Sequence, residues 1–178
     1  MILNRYHFLE KENKYMFGWF KKECRVSTLN KLFKRKKYVE TIKLASQSIH
    51  EGLSAPEFYT FQAWSFLETK QLENAQLITD QALKKYPHHP VFLVLNGEVS
   101  YRMGNHDLAD VFLKEALVQS PGNLQVEYLL GLNFVAQGKL EEASEYFDSI
   151  LRYDPTILQT RLLTMAEHHI YLNRTKNG

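Results

Sequence analysis

The fold is decided by residues 124–155, which read LQVEYLLGLNFVAQGKLEEASEYFDSILRYDP. Two amphipathic segments meet at Gly138, and apolar residues of the second recur at spacings of four and three from Ala143. Such spacing places them on one face of a helix. Asp154-Pro155 ends the second segment, because a proline ring cannot sit inside a helix. The stretch therefore predicts a helical hairpin with an apolar face that it cannot bury alone.

The hairpin pattern recurs every 34 residues along the chain. Small side chains at fixed places allow helix backbones to cross closely, and a stack of such hairpins buries a shared core. The matching positions are Gly131, Gly97 and Ala63; Gly138, Gly104 and Lys70; Ala143, Ala109 and Ala75; Ile150, Ala116 and Ala82; and Pro155, Pro121 and Pro87.

This pattern resembles the tetratricopeptide repeat (TPR) family, a 34-residue helix-turn-helix motif with small residues at positions 8, 20 and 27 and proline at 32. Three repeats match in one phase, at residues 56–89, 90–123 and 124–157. The usual aromatic residue at position 4 is kept only in part, as Tyr59, Leu93 and Glu127. The resemblance implies an all-α, TPR-type helical-hairpin solenoid that forms a right-handed superhelix.

The three repeats, which together span residues 56–155, have less regular neighbours. Residues 22–55 predict a degenerate TPR-like hairpin, and terminal repeats are often atypical because they cap the stack. Residues 158–173 predict a C-terminal capping helix. Residues 1–21 form an aromatic and basic segment, which we interpret as an N-terminal capping helix whose aromatic side chains pack on the first repeat. The alternatives are a membrane anchor, disorder, or a start at Met16.

Composition narrows the class of protein. The 178-residue chain has a net charge of +2, but residues 1–50 carry +8 and the remainder carries −6. We expect the two parts to contact different partners. We do not expect nucleic-acid binding to be the function, because the acidic repeat body would repel a phosphate backbone. The single cysteine, Cys24, fits a reducing compartment. Without a convincing secretory signal or an apolar run of transmembrane length, we expect a cytoplasmic protein, with peripheral membrane contact as the alternative.

We find no residue pattern that predicts catalysis, a cofactor or a metal site. The histidine pairs His88-His89, in a predicted turn, and His168-His169, on the last predicted helix, could suggest a metal site. Adjacent side chains on a helix point about 100° apart, however, so the second pair cannot bind one ion from one face. No phosphate-binding loop or nucleophile motif occurs. The sequence therefore predicts a protein that is not an enzyme.

The remaining signal is a surface. In TPR proteins the first helix of each repeat lines a concave groove, and an exposed apolar strip there calls for a partner. We expect a non-enzymatic adaptor or assembly factor that binds a peptide or helix of another protein, unless some of these residues are core between neighbouring first helices. The predicted peptide-binding groove comprises Phe61, Trp64, Leu67, Val94, Leu95, Tyr101, Tyr128, Leu129, Leu132 and Val135. Other side chains at groove positions are Glu23, Val26, Ser27, Asn30, Phe33, Lys34, Glu57, Thr60, Glu68, Val91, Glu98, Arg102, Gln125 and Ala136.

Two further surfaces lie in the basic N-terminal third. One is a basic patch, interpreted as a solvated turn or as a contact for phosphate or acidic protein: Lys34, Arg35, Lys36 and Lys37. The other is a candidate membrane contact: Phe17, Trp19, Phe20, Lys21 and Lys22. Two alternative functions stay open. One is a secretion-type chaperone similar to type III translocator chaperones, which self-associates through its N-terminal segment. The other is a membrane-peripheral scaffold.

Overall fold

The computed structural model describes the backbone of residues 2–153 and the side chains of residues 18–153. Every regular element in this part of the chain is an α-helix, so the predicted all-α fold of helical hairpins is confirmed. The C-terminal helix predicted at residues 158–173 lies outside the described residues. The helices are α1 (Ile2–Lys34), α2 (Tyr38–His50), α3 (Pro56–Glu68), α4 (Leu72–Lys85), α5 (Pro90–Arg102), α6 (His106–Gln119), α7 (Leu124–Ala136) and α8 (Leu140–Tyr153).

The helices form two layers. The first helices, α1, α3, α5 and α7, contact one another in sequence. The second helices α2, α4 and α6 each pack against the first helix on either side, and α8 packs against α7. Within the described residues the second helices, α2, α4, α6 and α8, make no such contacts with one another. Because the first helices are the more closely spaced layer, the stack curves towards them and they line its concave side.

Each of the four hairpins turns in the same way. Residues 36, 70, 104 and 138, which are 34 apart, all have a positive φ between 57° and 79°. In each turn the next N–H donates to the carbonyl oxygen five residues before it, for example Lys37 to Leu32 at 3.0 Å and Lys139 to Phe134 at 2.9 Å. This is the Schellman arrangement that ends a helix. Glycine fits it without strain at the two later turns, whereas Lys36 and Lys70 adopt it at some cost.

The core lies where the helices cross. The alanines at motif positions 8, 20 and 27 are at most 2% exposed. Gly97 faces Leu113 and Gly131 faces the Phe147 ring so closely that a Cβ at either glycine would overlap them. The alanines are Ala63, Ala75, Ala82, Ala109, Ala116 and Ala143.

The degenerate hairpin keeps the same packing with hydroxyl residues. Thr41 and Ser48 take the places of two small residues and are fully buried. Their hydroxyls donate to backbone carbonyl oxygens four residues earlier, at 2.8 Å and 2.7 Å. A satisfied hydroxyl is tolerated in a core, which explains why this hairpin can stack although its sequence matches poorly.

The N-terminal segment and the first helix of the degenerate hairpin form one element. One continuous helix, α1, runs through the expected boundary at residues 21/22. Lys21 and Arg25 reach Glu51 at the end of α2, at 2.9 Å and 3.3 Å. Trp19 and Phe20 are 59% and 65% exposed, so they do not pack on the first repeat. The part of α1 before residue 21 therefore extends past the end of α2.

Candidate functional site

The structure divides the ten predicted groove residues into two sets. Four leucines are at most 9% exposed and belong to the core between helices, so they offer little surface to a ligand. The close approach of neighbouring first helices covers them. The buried set is Leu67, Leu95, Leu129 and Leu132. The remaining six keep partly exposed side chains: Phe61, Trp64, Val94, Tyr101, Tyr128 and Val135.

An aromatic cluster joins α1 to α3 at one end of the groove. The Phe33 ring lies 5.7 Å from that of Phe61 and 5.9 Å from that of Trp64, centroid to centroid. Tyr38, at the start of α2, lies 5.5 Å from Phe33 on its other side. Rings in contact at these distances hold one another rigidly, which suits an anchor site.

An open pocket lies beside this cluster. Its volume is about 260 Å³, and its walls come from all four first helices. The lining residues are Phe33, Trp64, Leu67, Glu68, Glu98, Arg102 and Gln125. The motif had placed all of them on the groove, but sequence reasoning assigned no role to the polar ones. The spacing of four between Glu98 and Arg102 was the available signal, because it is that of a helical ion pair.

The pocket carries an internal charge network. The Arg102 guanidinium pairs with the Glu98 carboxylate and donates to the backbone carbonyl of Leu67 at 3.3 Å. The Tyr38 hydroxyl donates to Glu68 at 3.3 Å. Desolvation raises the pKa of Tyr38 above its usual value, and the neighbouring Glu68 charge adds to this. Tyr38 therefore stays a neutral hydrogen-bond donor at physiological pH.

The other end of the groove is built around two tyrosines. Burial raises the pKa of Tyr101, and the nearby phenol of Tyr128 contributes in the same direction. Tyr128 in turn lies 6.3 Å from the ring of Phe147. Both phenols are half-buried, so each places an apolar ring and a polar hydroxyl at this end of the groove.

The two basic N-terminal surfaces do not meet. Lys34 to Lys37 are exposed in the turn after α1, where Lys37 pairs with Glu40 at 3.4 Å. Trp19 and Phe20 lie some fifteen residues earlier on the same helix, which corresponds to about 20 Å. Lys21 pairs with Glu51, and Lys22 lies 3.6 Å from Glu23. The side chain of Phe17 lies outside the described residues.

Other features of the described residues give no catalytic arrangement that we can identify. A second open pocket, of about 520 Å³, lies at the α5–α6 turn beside His106, whose ring pairs with Asn133 at 2.8 Å. This pair ties α6 to α7 and is structural. In residues 18–153 no three His, Cys, Asp or Glu side chains are placed to hold a metal ion. None of the described helices has the length and apolar character needed to cross a membrane.

Comparisons with known proteins agree with this architecture. The tetratricopeptide repeat family model matches residues 62–89 and 125–156. A curated relative, the BBSome complex member BBS4 of Bos taurus, is 31% identical over 91 residues. That alignment covers 51% of this chain but only 17% of the relative, so the chain spans about a sixth of that protein's length.

Solved structures show the same fold at low identity. MamA residues 41-end from Desulfovibrio magneticus RS-1 has a TM-score of 0.67 at 19% identity, over 89% of this chain and 98% of that one. The TPR protein TTC0263 of Thermus thermophilus has a TM-score of 0.67 at 16% identity, over 75% of each chain. YrrB, described as a TPR protein with an unusual peptide-binding site, has a TM-score of 0.62 at 16% identity, over 71% and 66%.

The chain is therefore a repeat protein of stacked helical hairpins. It contains tetratricopeptide repeats at residues 62–89 and 125–156, and the resemblance that the 34-residue pattern indicated is confirmed.

Proposed function

We propose that this protein is a non-enzymatic adaptor or assembly factor that holds a peptide or helix of another protein in its concave groove. The observation that carries this proposal is the row of partly exposed apolar side chains along the first helices, which begins at the Phe33–Phe61–Trp64 cluster. A surface of this kind loses water favourably when a partner covers it. The name of YrrB records peptide binding on the same fold, which supports the proposal.

The groove is suited to an amphipathic segment rather than to a wholly apolar one. Trp64 and Tyr128 are large and lose little rotamer freedom on binding, which makes them efficient anchors. Between them lie Glu98, Arg102 and Gln125, which need polar contacts once water is displaced. We therefore expect the occupant to carry apolar residues along one side and a few polar residues at defined places.

The test removes the two anchors together, as Trp64→Ala with Tyr128→Ala. Full-length protein captures its partner from a native lysate, and the purified partner is then titrated against both forms. We expect helicity to be retained and binding to be lost. The control is Leu77→Ala with Tyr153→Ala, which removes two large side chains from sites outside the groove that are 56% and 77% exposed. Binding that survives the groove substitutions, or that fails equally in the control, would reject the groove as the site.

A second candidate function uses the N-terminal part of α1. Its motivating observation is the exposure of the adjacent aromatics Trp19 and Phe20. We propose that they contact either a second copy of the chain, as in a secretion-type chaperone, or an anionic membrane, as in a membrane-peripheral scaffold. A monomer at high concentration in light scattering removes the first possibility. Failure to float with anionic liposomes at low salt removes the second.

The cellular location follows from the same tests. Liposome binding that depends on Trp19 and Phe20 would favour a membrane-peripheral protein. Its absence would favour our other expectation, a cytoplasmic one.

A further inference from the structure

The pocket beside the aromatic cluster is acidic where it meets Trp64. Trp64 and Glu68 are four residues apart on α3 and both line the pocket, so an occupant that covers the ring also covers the carboxylate. Glu98 and Arg102 line the facing wall on α5. The side-chain charges of this pocket are therefore two negative and one positive.

Arg102, the one cationic residue that lines the pocket, already has partners within the protein. Arg102 pairs with Glu98, whose side chain is only 13% exposed. The Arg102 guanidinium also donates a hydrogen bond to the backbone carbonyl of Leu67. Glu68, by contrast, accepts from the neutral Tyr38 hydroxyl. No cationic side chain of the described residues lies within 4 Å of Glu68. Glu68 is exposed, so solvent water rather than an ion pair within the described residues screens its negative charge.

A partner docked on Trp64 would remove that water. Burying a carboxylate without a counter-charge is costly, whereas burying it against a cation is not. Two further interactions also favour a cation at this place. The faces of Trp64 and Phe33 attract cations, and Glu68 lies at the C-terminal end of α3, where the helix dipole is negative.

We infer that this pocket receives a lysine or arginine side chain of the segment bound in the groove. The inference rests on the proposed peptide-binding function and names the chemistry of the occupant. The cation stacks against Trp64 and pairs with Glu68, while Arg102 repels it from the α5 wall. The exposed cations of the turn at residues 34–37 disfavour a cluster of basic residues. The bound segment therefore carries one basic residue flanked by apolar or acidic ones.

The test starts from a displayed library of random peptides panned on the full-length chain. Peptides that fail to bind Trp64→Ala are kept as groove binders. We expect one basic position to be shared among them. A selected peptide is then synthesised with norleucine in place of that residue, which removes the charge and keeps the aliphatic stem.

Binding of both peptides is measured on the wild type and on Glu68→Gln, which can still accept from Tyr38. Norleucine and Glu68→Gln should each weaken binding about tenfold, and together by no more than either alone. The control Glu73→Gln makes the same charge change at an exposed site on α4 and should leave binding unchanged. The weakening should shrink at high salt.

The outcomes separate the two levels of the proposal. Trp64-dependent peptides without a shared basic position, or a norleucine effect that persists in Glu68→Gln, would overturn the inference and leave groove binding intact. The absence of any Trp64-dependent peptide would overturn both.

Discussion

The rings of Phe33 and Trp64 lie 5.9 Å apart and join the last turn of α1 to the middle of α3. One wall of the candidate site thus comes from the hairpin whose sequence matches the repeat least well. That hairpin is more than a cap. Its Phe33 fixes the position of the ring on which we expect a partner to dock.

This relationship predicts a loss of stability on Phe33→Ala. The substitution removes contacts with three aromatic rings at a partly buried site, so we expect a cost of about 2 kcal/mol in the free energy of unfolding. Urea denaturation followed by circular dichroism measures it. The matched control is Phe20→Ala, at a ring that is 65% exposed, which should cost less than about 0.5 kcal/mol. Equal costs for the two variants would contradict the packing described.

Two glycine-to-alanine substitutions in helices should change the stability of the protein in opposite directions. A Cβ at Gly131 would overlap the Phe147 ring, so Gly131→Ala should destabilise the protein by about 1–3 kcal/mol. A Cβ at Gly18 meets no heavy atom of the described residues within 4 Å. Gly18→Ala should therefore stabilise the chain, by up to about 1 kcal/mol, because glycine costs backbone entropy in a helix. Thermal and urea midpoints of the two variants test this, and a shift of the same sign in both would count against it.

The parts of the structure that could be predicted from sequence are those fixed by local constraints repeated every 34 residues. The spacing of Gly131 and Ala143 is sufficient because close helix crossing admits only compact side chains there. The turn at Lys70 follows from its alignment with Gly104, although lysine itself gives no turn signal. Repetition thus supplies information that single residues lack.

The groove could be predicted only in part, because burial depends on how closely neighbouring helices approach. Leu95 and Phe61 share a motif position, yet Leu95 is buried and Phe61 partly exposed. The hydrogen bond from Tyr38 to Glu68 joins two helices across thirty residues of sequence, and no rule of residue spacing predicts it. The continuity of α1 was hidden for a different reason, since residues 1–21 carry aromatics without a clean helical period.

The shared turn geometry predicts that Lys70→Gly is stabilising. Lys70 has a φ of 58°, a left-handed conformation that costs an ordinary residue about 1–2 kcal/mol. Glycine avoids this cost but gains entropy in the unfolded chain, so the net stabilisation should be about 0.5–1 kcal/mol. Lys43→Gly, the same substitution within α2, should instead cost about 1 kcal/mol. Urea midpoints of both variants give the comparison, and a destabilised Lys70→Gly would argue against this turn.

The contact between α1 and α2 predicts a dependence of stability on pH. The hydrogen bond from Lys21, followed by that from Gln47, lowers the pKa of Glu51 to about 2, and the charge of Arg25 contributes in the same direction. The usual pKa of 4.5 is thus lowered on folding, so the ionised form stabilises the folded state at pH values above 4.5. This contribution is lost progressively as the pH falls from 4.5 to about 2. Glu51→Gln should therefore lower the urea midpoint at about pH 6, and the gap to the wild type should narrow at about pH 3.

A reciprocal variant isolates the cause. Lys21→Gln removes the donor that lowers the pKa of Glu51 most, so it should reduce the same pH-dependent gap in part. Because both side chains are partly exposed, about 0.5 M salt should shrink the gap at pH 6 as well. Amide hydrogen exchange at the C-terminal turn of α2 reports the effect locally, since Glu51 caps that helix. A gap that stays constant between pH 6 and pH 3 would show that Glu51 does not hold α1 against α2 through its charge. The extension of α1 past α2 would then need another anchor.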